Sequence, residues 1–308
     1  MNKRQLGSSD LYVSEISLGC MSLGTDHNKA KDIIDRAVDA GINYLDTADL
    51  YDFGENEKIV GEAVKGKRDD LLIGTKVGNN FNPDQEDWHW DPSKKHIKEG
   101  VKDSLKRLGI DYIDVYQLHG GTIDDPIEES IEAFEELKQD GLIREYGISS
   151  IRPNVIKEYV EKSNIVSVMM QYNALDRRPE EEILNLLADN EISVLARGPL
   201  AKGMLSSKGQ EKAQEKAENG FLEYSQEEVL EIAKQWQSFT SDEKTAETLA
   251  LQYVLQNPTV ATAVFGASSV EQLNDNLRYL ESPPLTEQIY KEMKALTKGI
   301  TYQKHRAR

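Results

Sequence analysis

Strand and helix patterns alternate along this chain with little between them. Apolar runs with polar C-terminal ends, N-Y-L-D-T-A at 43–48, L-L-I-G-T-K-V-G at 71–78 and I-D-V-Y-Q-L-H-G at 113–120, read as buried parallel strands. Between them, Ala30, Ile33, Ile34, Ala37 and Val38 recur at i, i+3, i+4, i+7, i+8 spacing, and Gly41 ends that helix. Ile97, Val101, Leu105 and Leu108 repeat such a face behind the start signal Asp91-Pro92-Ser93. I-S-L-G-C supplies the first strand. Later units pair Ile127 to Asp140 with R-E-Y-G-I-S-S, Pro153 to Lys162 with V-S-V-M-M-Q-Y, and Pro179 to Asn190 with S-V-L-A-R-G-P. A polar stretch after Pro199 interrupts the alternation before helices around 226–238 and 242–257 and a last strand, A-T-A-V-F-G-A. Residues 4–14 read as a hairpin over the barrel floor, and two helices near 269–280 and 286–297 close the chain. The pattern predicts an α/β fold: one domain, 1–308, forming a (β/α)8 TIM barrel with an N-terminal β-hairpin and two C-terminal helices.

Composition narrows the partners. Basic residues number 37 and acidic residues 54, for a net charge of −17, and no basic block follows a phosphate backbone, so nucleic acid and anionic membranes are excluded. No apolar run approaches the roughly 20 residues of a membrane span. Met1 opens a polar segment rather than a signal peptide's apolar core, so a cytoplasmic location is expected. The single cysteine, Cys20, excludes an internal disulfide or a cysteine-rich metal site and reads as a small buried filler.

In a parallel barrel the strands' C-terminal ends converge on one face, where catalytic groups sit. Asp46, Lys76 and His119 close the second, third and fourth strands, and Tyr51 lies in the loop after the second. A phenol is a poor acid at neutral pH unless a neighbouring cation favours its phenolate. Lys76 can be that cation, Asp46 can hold its ammonium, and His119 can donate to or relay a proton through the phenol oxygen. Such a tyrosine serves as general acid towards a carbonyl oxygen, with the reducing equivalent brought by a nicotinamide cofactor. Each residue also has a plainer role: Asp46 and Lys76 as an ion pair, Tyr51 as a surface aromatic, His119 as a structural histidine. Their common placement at one face favours the chemical reading.

Two motifs carry less than they suggest. Gly61 to Lys67 has most of a phosphate-loop spacing, but Arg68 stands where Ser or Thr is needed and the segment ends a helix. No G-x-G-x-x-G occurs, so a Rossmann domain has no support. A metal-dependent hydrolase is disfavoured too, because only His119 among the five histidines ends a strand, and no metal is expected.

The stretches L-G-S-S-D-L-Y-V-S-E-I-S-L-G-C-M, G-I-N-Y-L-D-T-A-D-L-Y, T-K, Y-Q-L-H and G-A-S-S-V-E-Q-L-N-D-N resemble the aldo-keto reductase superfamily across essentially the whole chain. The resemblance is strongest to the bacterial general-stress and inositol-operon reductase branch, which is also similar to potassium-channel β subunits. It implies reversible hydride transfer between NADPH and an aldehyde or ketone by a monomer. Tyr51 would be the proton donor, Lys76 and Asp46 the pair that lowers its pKa, and His119 the residue orienting the carbonyl. It further implies that Ser149 and Gln171 hold the nicotinamide carboxamide, and that Leu200, Lys202 and Gly203 cover the pyrophosphate. Gly266, Ala267, Ser268, Gln272 and Asn276 would receive the adenosine end. Gly19, Cys20, Met21, Arg197 and Gly198 would complete the cofactor's surroundings. In plainer terms, Gln171 caps a strand and Gly266-Ala267-Ser268 turns into a capped helix.

Three departures from the family pattern matter. Ser150 stands where many relatives carry Asn, Arg197 where they often stack an aromatic ring, and Ser268 where Arg or Lys commonly clamps the 2′-phosphate. A missing charge-assisted contact is worth roughly 1.5–3 kcal/mol, or about one to two decades of preference, so NADPH is expected with NADH also possible. The segment 79–92 carries Phe81, Trp88, His89 and Trp90, and Trp88 and Trp90 are expected to form a wall for a flat carbonyl substrate, or one of them to pack the loop onto the next helix. The competing function is a regulatory protein that retains NADPH, as the channel β subunits are thought to do.

Overall fold

The computed structural model describes residues 1–82 and 87–306. Eight parallel strands close into a barrel: β1 (Ile16–Gly19), β2 (Tyr44–Asp46), β3 (Leu72–Val77), β4 (Ile113–Leu118), β5 (Ile143–Ser149), β6 (Ser167–Gln171), β7 (Ser193–Arg197) and β8 (Val260–Gly266). Each pairs with its sequence neighbour, and β8 returns to β1 with Gly266 opposite Gly19. The alternating pattern thus specified the fold directly. Crossover helices need one apolar stripe each. α1 (His27–Asp39) buries Ala30, Ile33, Ile34 and Ala37, and its first amides are capped by the Asp26 carboxylate. α2 (Glu55–Val64) follows the Tyr51 loop, and α3 (Lys94–Leu108) starts on a Ser93 cap and ends at Gly109 in the left-handed region. α4 (Ile127–Gln139), α5 (Pro153–Lys162) and α6 (Ile183–Asp189) continue the ring.

Two cores result. One fills the layer between strands and helices. The other lies inside the barrel, where Leu6, Leu11 and Val13 pack with Tyr44, Leu72, Val115 and Met169. The first three come from the expected hairpin, Lys3–Gln5 against Tyr12–Ser14, which closes the barrel's N-terminal end and leaves the opposite end for a site.

The polar stretch after Pro199 holds more structure than its pattern announced. A 3-10 turn at Ala201–Gly203 leads into α7 (Gly209–Lys216), followed by α8 (Gln226–Trp236), the wholly buried α9 (Ala246–Leu255), α10 (Val270–Leu277) and α11 (Glu287–Ala295). The segment after β3, expected as a loop, is an antiparallel ribbon of Asn79–Asn82 with Asp87–Trp90, while 83–86 lie outside the described residues. Among the described residues no helix is long and apolar enough to cross a membrane.

Candidate active site

Asp46 ends β2 and Lys76 is the last but one residue of the neighbouring β3, their side chains buried, 4 % and 0 % exposed. Lys76 Nζ donates to Asp46 Oδ2 at 2.7 Å, to the Thr47 carbonyl at 2.6 Å and to the Tyr51 hydroxyl at 3.4 Å. Burial works against the ammonium, but the Asp46 carboxylate and the Tyr51 oxygen outweigh it and hold the lysine pKa above its ordinary value. Burial likewise raises the Asp46 carboxyl, with Lys76 as the main opposing influence. Gln117, buried on β4, donates to the other Asp46 oxygen at 3.5 Å.

Tyr51 meets His119 edge to face, ring centroids 5.8 Å apart. His119 is only partly exposed, and its Nδ1 has no hydrogen-bond partner. Burial first, then the charges of Lys76 and Arg197, push its pKa down to about 3, so the imidazole is neutral at physiological pH. A histidine with a depressed folded-state pKa contributes stability above its unfolded value that is lost as pH falls towards the folded one. Between pH 6.5 and pH 5 the loss is about 2 kcal/mol. We therefore expect His119→Asn to lose about 2 kcal/mol less than the parent between pH 7 and pH 5, measured by urea unfolding; parallel pH curves would refute the depressed value.

These groups open into a cleft of about 1050 Å³ across the barrel mouth. Gly19, Met21, Ser149, Gln171, Arg197, Gly198, Leu200, Lys202, Gly203, Gly266, Ser268, Gln272 and Asn276 line it with Asp46, Tyr51 and His119. Cys20 and Ala267 do not: both are fully buried, and burial pushes the Cys20 thiol far up. Gln171 is oriented at both ends of its amide, donating to Asp176 at 2.7 Å and accepting from Arg197 at 3.4 Å. At the far end Gln272 spends its carbonyl on the Ser268 amide and hydroxyl, at 2.9 and 3.0 Å, while Asn276 Oδ1 is buried without a partner.

Neither indole of the ribbon lines the cleft. Trp90 packs on Gly78, where a Cβ would come within 2.5 Å of the ring, and its Nε1 donates to the Asp125 carboxylate at 3.1 Å. Trp88 is 51 % exposed. The packing reading therefore holds for Trp90, against the loop after β4 rather than α3.

The sequence reading missed several cleft residues. Arg152, two residues past Ser150, lines the cleft and bonds the Gly121 carbonyl. Lys208, Lys212 and Lys216, on and before α7, join Arg197 and Lys202 there, so cations gather in the cleft of a chain with net charge −17. The only available signal was the density of lysine between 202 and 216, in a stretch without an apolar period. Left-handed φ at Ala201, Lys202 and Gly203 also folds that loop into a turn on the cleft wall. Phosphate-sized anions suit backbone turns of this kind with lysines beside them. Together with two unpartnered polar atoms at opposite ends, on His119 and Asn276, the lining fits an elongated anionic ligand such as a dinucleotide. Among the described residues no group of His, Cys, Asp or Glu is placed to hold a metal ion.

Fold and site together define an α/β-barrel protein with one polar, cation-bearing cleft at the strands' C-terminal ends. The profile of the Aldo/keto reductase family matches residues 15–298, and the chain belongs to that family of oxidoreductases. It is 56 % identical to the uncharacterized oxidoreductase YqkF of Bacillus subtilis over the full length of both chains. It is 32 % identical to the NADH-specific methylglyoxal reductase of Escherichia coli, over 91 % of this chain and 94 % of that one. The holo form of aldo-keto reductase AKR11C1 from Bacillus halodurans superposes with a TM-score of 0.93 at 54 % identity, covering all of both chains.

Proposed function

We propose that the protein is a cytoplasmic, monomeric carbonyl reductase that uses NADPH, and NADH less well, to convert a small aldehyde or ketone to its alcohol. The observation that carries this reading is the buried Lys76 ammonium, fixed by Asp46 and directed at the Tyr51 hydroxyl from 3.4 Å. The nicotinamide, when bound, supplies the hydride. Ser149 and Gln171 are at hand for its carboxamide end, and Lys202 and its turn for the pyrophosphate. As negative charge develops on the carbonyl oxygen, Tyr51 transfers its proton there. Lys76 stabilises the charge left on the phenol oxygen. His119, neutral, offers an N–H to the same carbonyl oxygen and fixes its direction. Asp46 keeps the ammonium from turning away.

The lysines of the cleft support a phosphorylated cofactor, while Ser268 puts no cation beside the 2′-phosphate position that the family resemblance implies. A relative named as NADH-specific is a reason to test both forms. The test follows loss of reduced-nicotinamide absorbance with each cofactor and a panel of carbonyls. We expect turnover with both and a preference for NADPH of about tenfold, less than a full charge-assisted contact would give. Equal rates or a preference for NADH would overturn the cofactor assignment. Tight binding with no turnover across the panel would favour a cofactor-holding regulatory protein.

A further inference from the structure

Tyr51 stands at the head of a strained loop. Asp52 and Phe53 take φ angles of 48° and 51°, and Gly54 follows at 89°. A left-handed conformation costs roughly 1–2 kcal/mol at each non-glycine residue, so contacts elsewhere must hold the loop in shape. Arg107 on α3 packs against it. Its Cδ lies 2.8 Å from where a Gly54 Cβ would stand, so the arginine packs directly on this left-handed glycine. Its guanidinium lies 5.9 Å from the Phe81 ring, which meets Phe53 at 6.0 Å.

The same arginine reaches the strand that carries Lys76. Arg107 Nε donates to Glu57 Oε2 at 2.6 Å, and the other oxygen of that fully buried carboxylate accepts from Thr75 Oγ1 at 2.6 Å. Thr75 precedes Lys76 on β3. Asp49 lies in the same buried layer: its amide donates to the Lys76 carbonyl at 3.3 Å and its Oδ1 has no partner. Burial, then the Glu57 charge, holds the Asp49 carboxyl well above the usual range, and the Arg107 charge opposes both. Neither Arg107 nor Glu57 lines the cleft.

We propose that the Glu57–Arg107 pair positions the catalytic tyrosine, bracing the 52–54 loop and the Thr75–Lys76 strand from behind so that Tyr51 Oη stays within reach of Lys76 Nζ. This rests on the reading of Tyr51 as proton donor. Small misplacement of a reacting group costs up to about 100-fold in rate. Arg107→Met should lower kcat by about tenfold to 100-fold, leaving cofactor Kd and carbonyl KM within about twofold, and Arg107→Lys should recover most of the loss.

Leaving Glu57 buried without its partner can prevent folding, so the double variant Glu57→Gln/Arg107→Met, which removes both charges, is measured beside the single one. A kcat per folded molecule within twofold of the parent in the double variant, or a loss of cofactor affinity equal to the loss of kcat, would overturn the proposal. A crystal structure of the double variant reads it without turnover. The proposal expects the Tyr51 Oη to Lys76 Nζ separation to exceed the present 3.4 Å, and an unchanged separation overturns it. Absence of turnover in the parent would refute the carbonyl-reductase reading alone, and the crystallographic distance would still decide the positioning role.

Discussion

Lys76→Met is expected to cost about 3–5 kcal/mol of stability and to abolish measurable turnover, because it strips a buried carboxylate of its counter-ion. Asp46 would retain Gln117 at 3.5 Å, a long contact, and the neighbouring Tyr44 hydroxyl, neither of them a counter-charge, and the Thr47 carbonyl would lose the donor now 2.6 Å away. Adding Asp46→Asn removes the stranded charge, so the double variant should regain most of the lost stability and none of the activity. Urea unfolding of the parent, single and double variants measures the first effect. If the single variant is as stable as the parent, the pair is not the tightly coupled element described above.

Tyr51→Phe is expected to spare the fold and remove the chemistry. The hydroxyl is one of three acceptors around Lys76 Nζ, and its loss leaves the two shorter bonds in place. The ammonium sits 5.0 Å from the ring centroid, a contact phenylalanine keeps. A stability loss near 1 kcal/mol is therefore expected. The catalytic loss is larger: a positioned general acid contributes about 100-fold to 10,000-fold, and phenylalanine has no proton to give. Cofactor affinity should stay within about twofold, since the ring and its neighbours remain.

Most of the barrel and the polar tetrad were legible in the sequence. A parallel strand buried on both faces is a nearly unbroken apolar run, so a polar residue at its C-terminal end stands out, as Asp46, Lys76 and His119 do. Side-chain direction was not legible. Trp88 and Trp90 share one face of their ribbon, but only Trp90, paired with Asn79 next to the barrel, reaches Gly78. Helix α7, G-Q-E-K-A-Q-E-K, buries little besides Ala213 and offers no apolar stripe, so its lysines could not be assigned to a cleft. Glu57 and Arg107 look like surface charges of amphipathic helices until the packing of α2 on α3 brings them together. Contacts between elements distant in sequence leave no periodic trace in either one.

Proton delivery by Tyr51 is the central step of the proposed reaction. The most direct measurement is NADPH-dependent reduction of an aldehyde such as nitrobenzaldehyde by parent and Tyr51→Phe side by side, with cofactor Kd measured separately for each by fluorescence titration. The account predicts turnover by the parent, and in the variant an unchanged Kd with kcat reduced at least about 100-fold. A variant that binds NADPH equally and keeps its kcat within tenfold of the parent would contradict it.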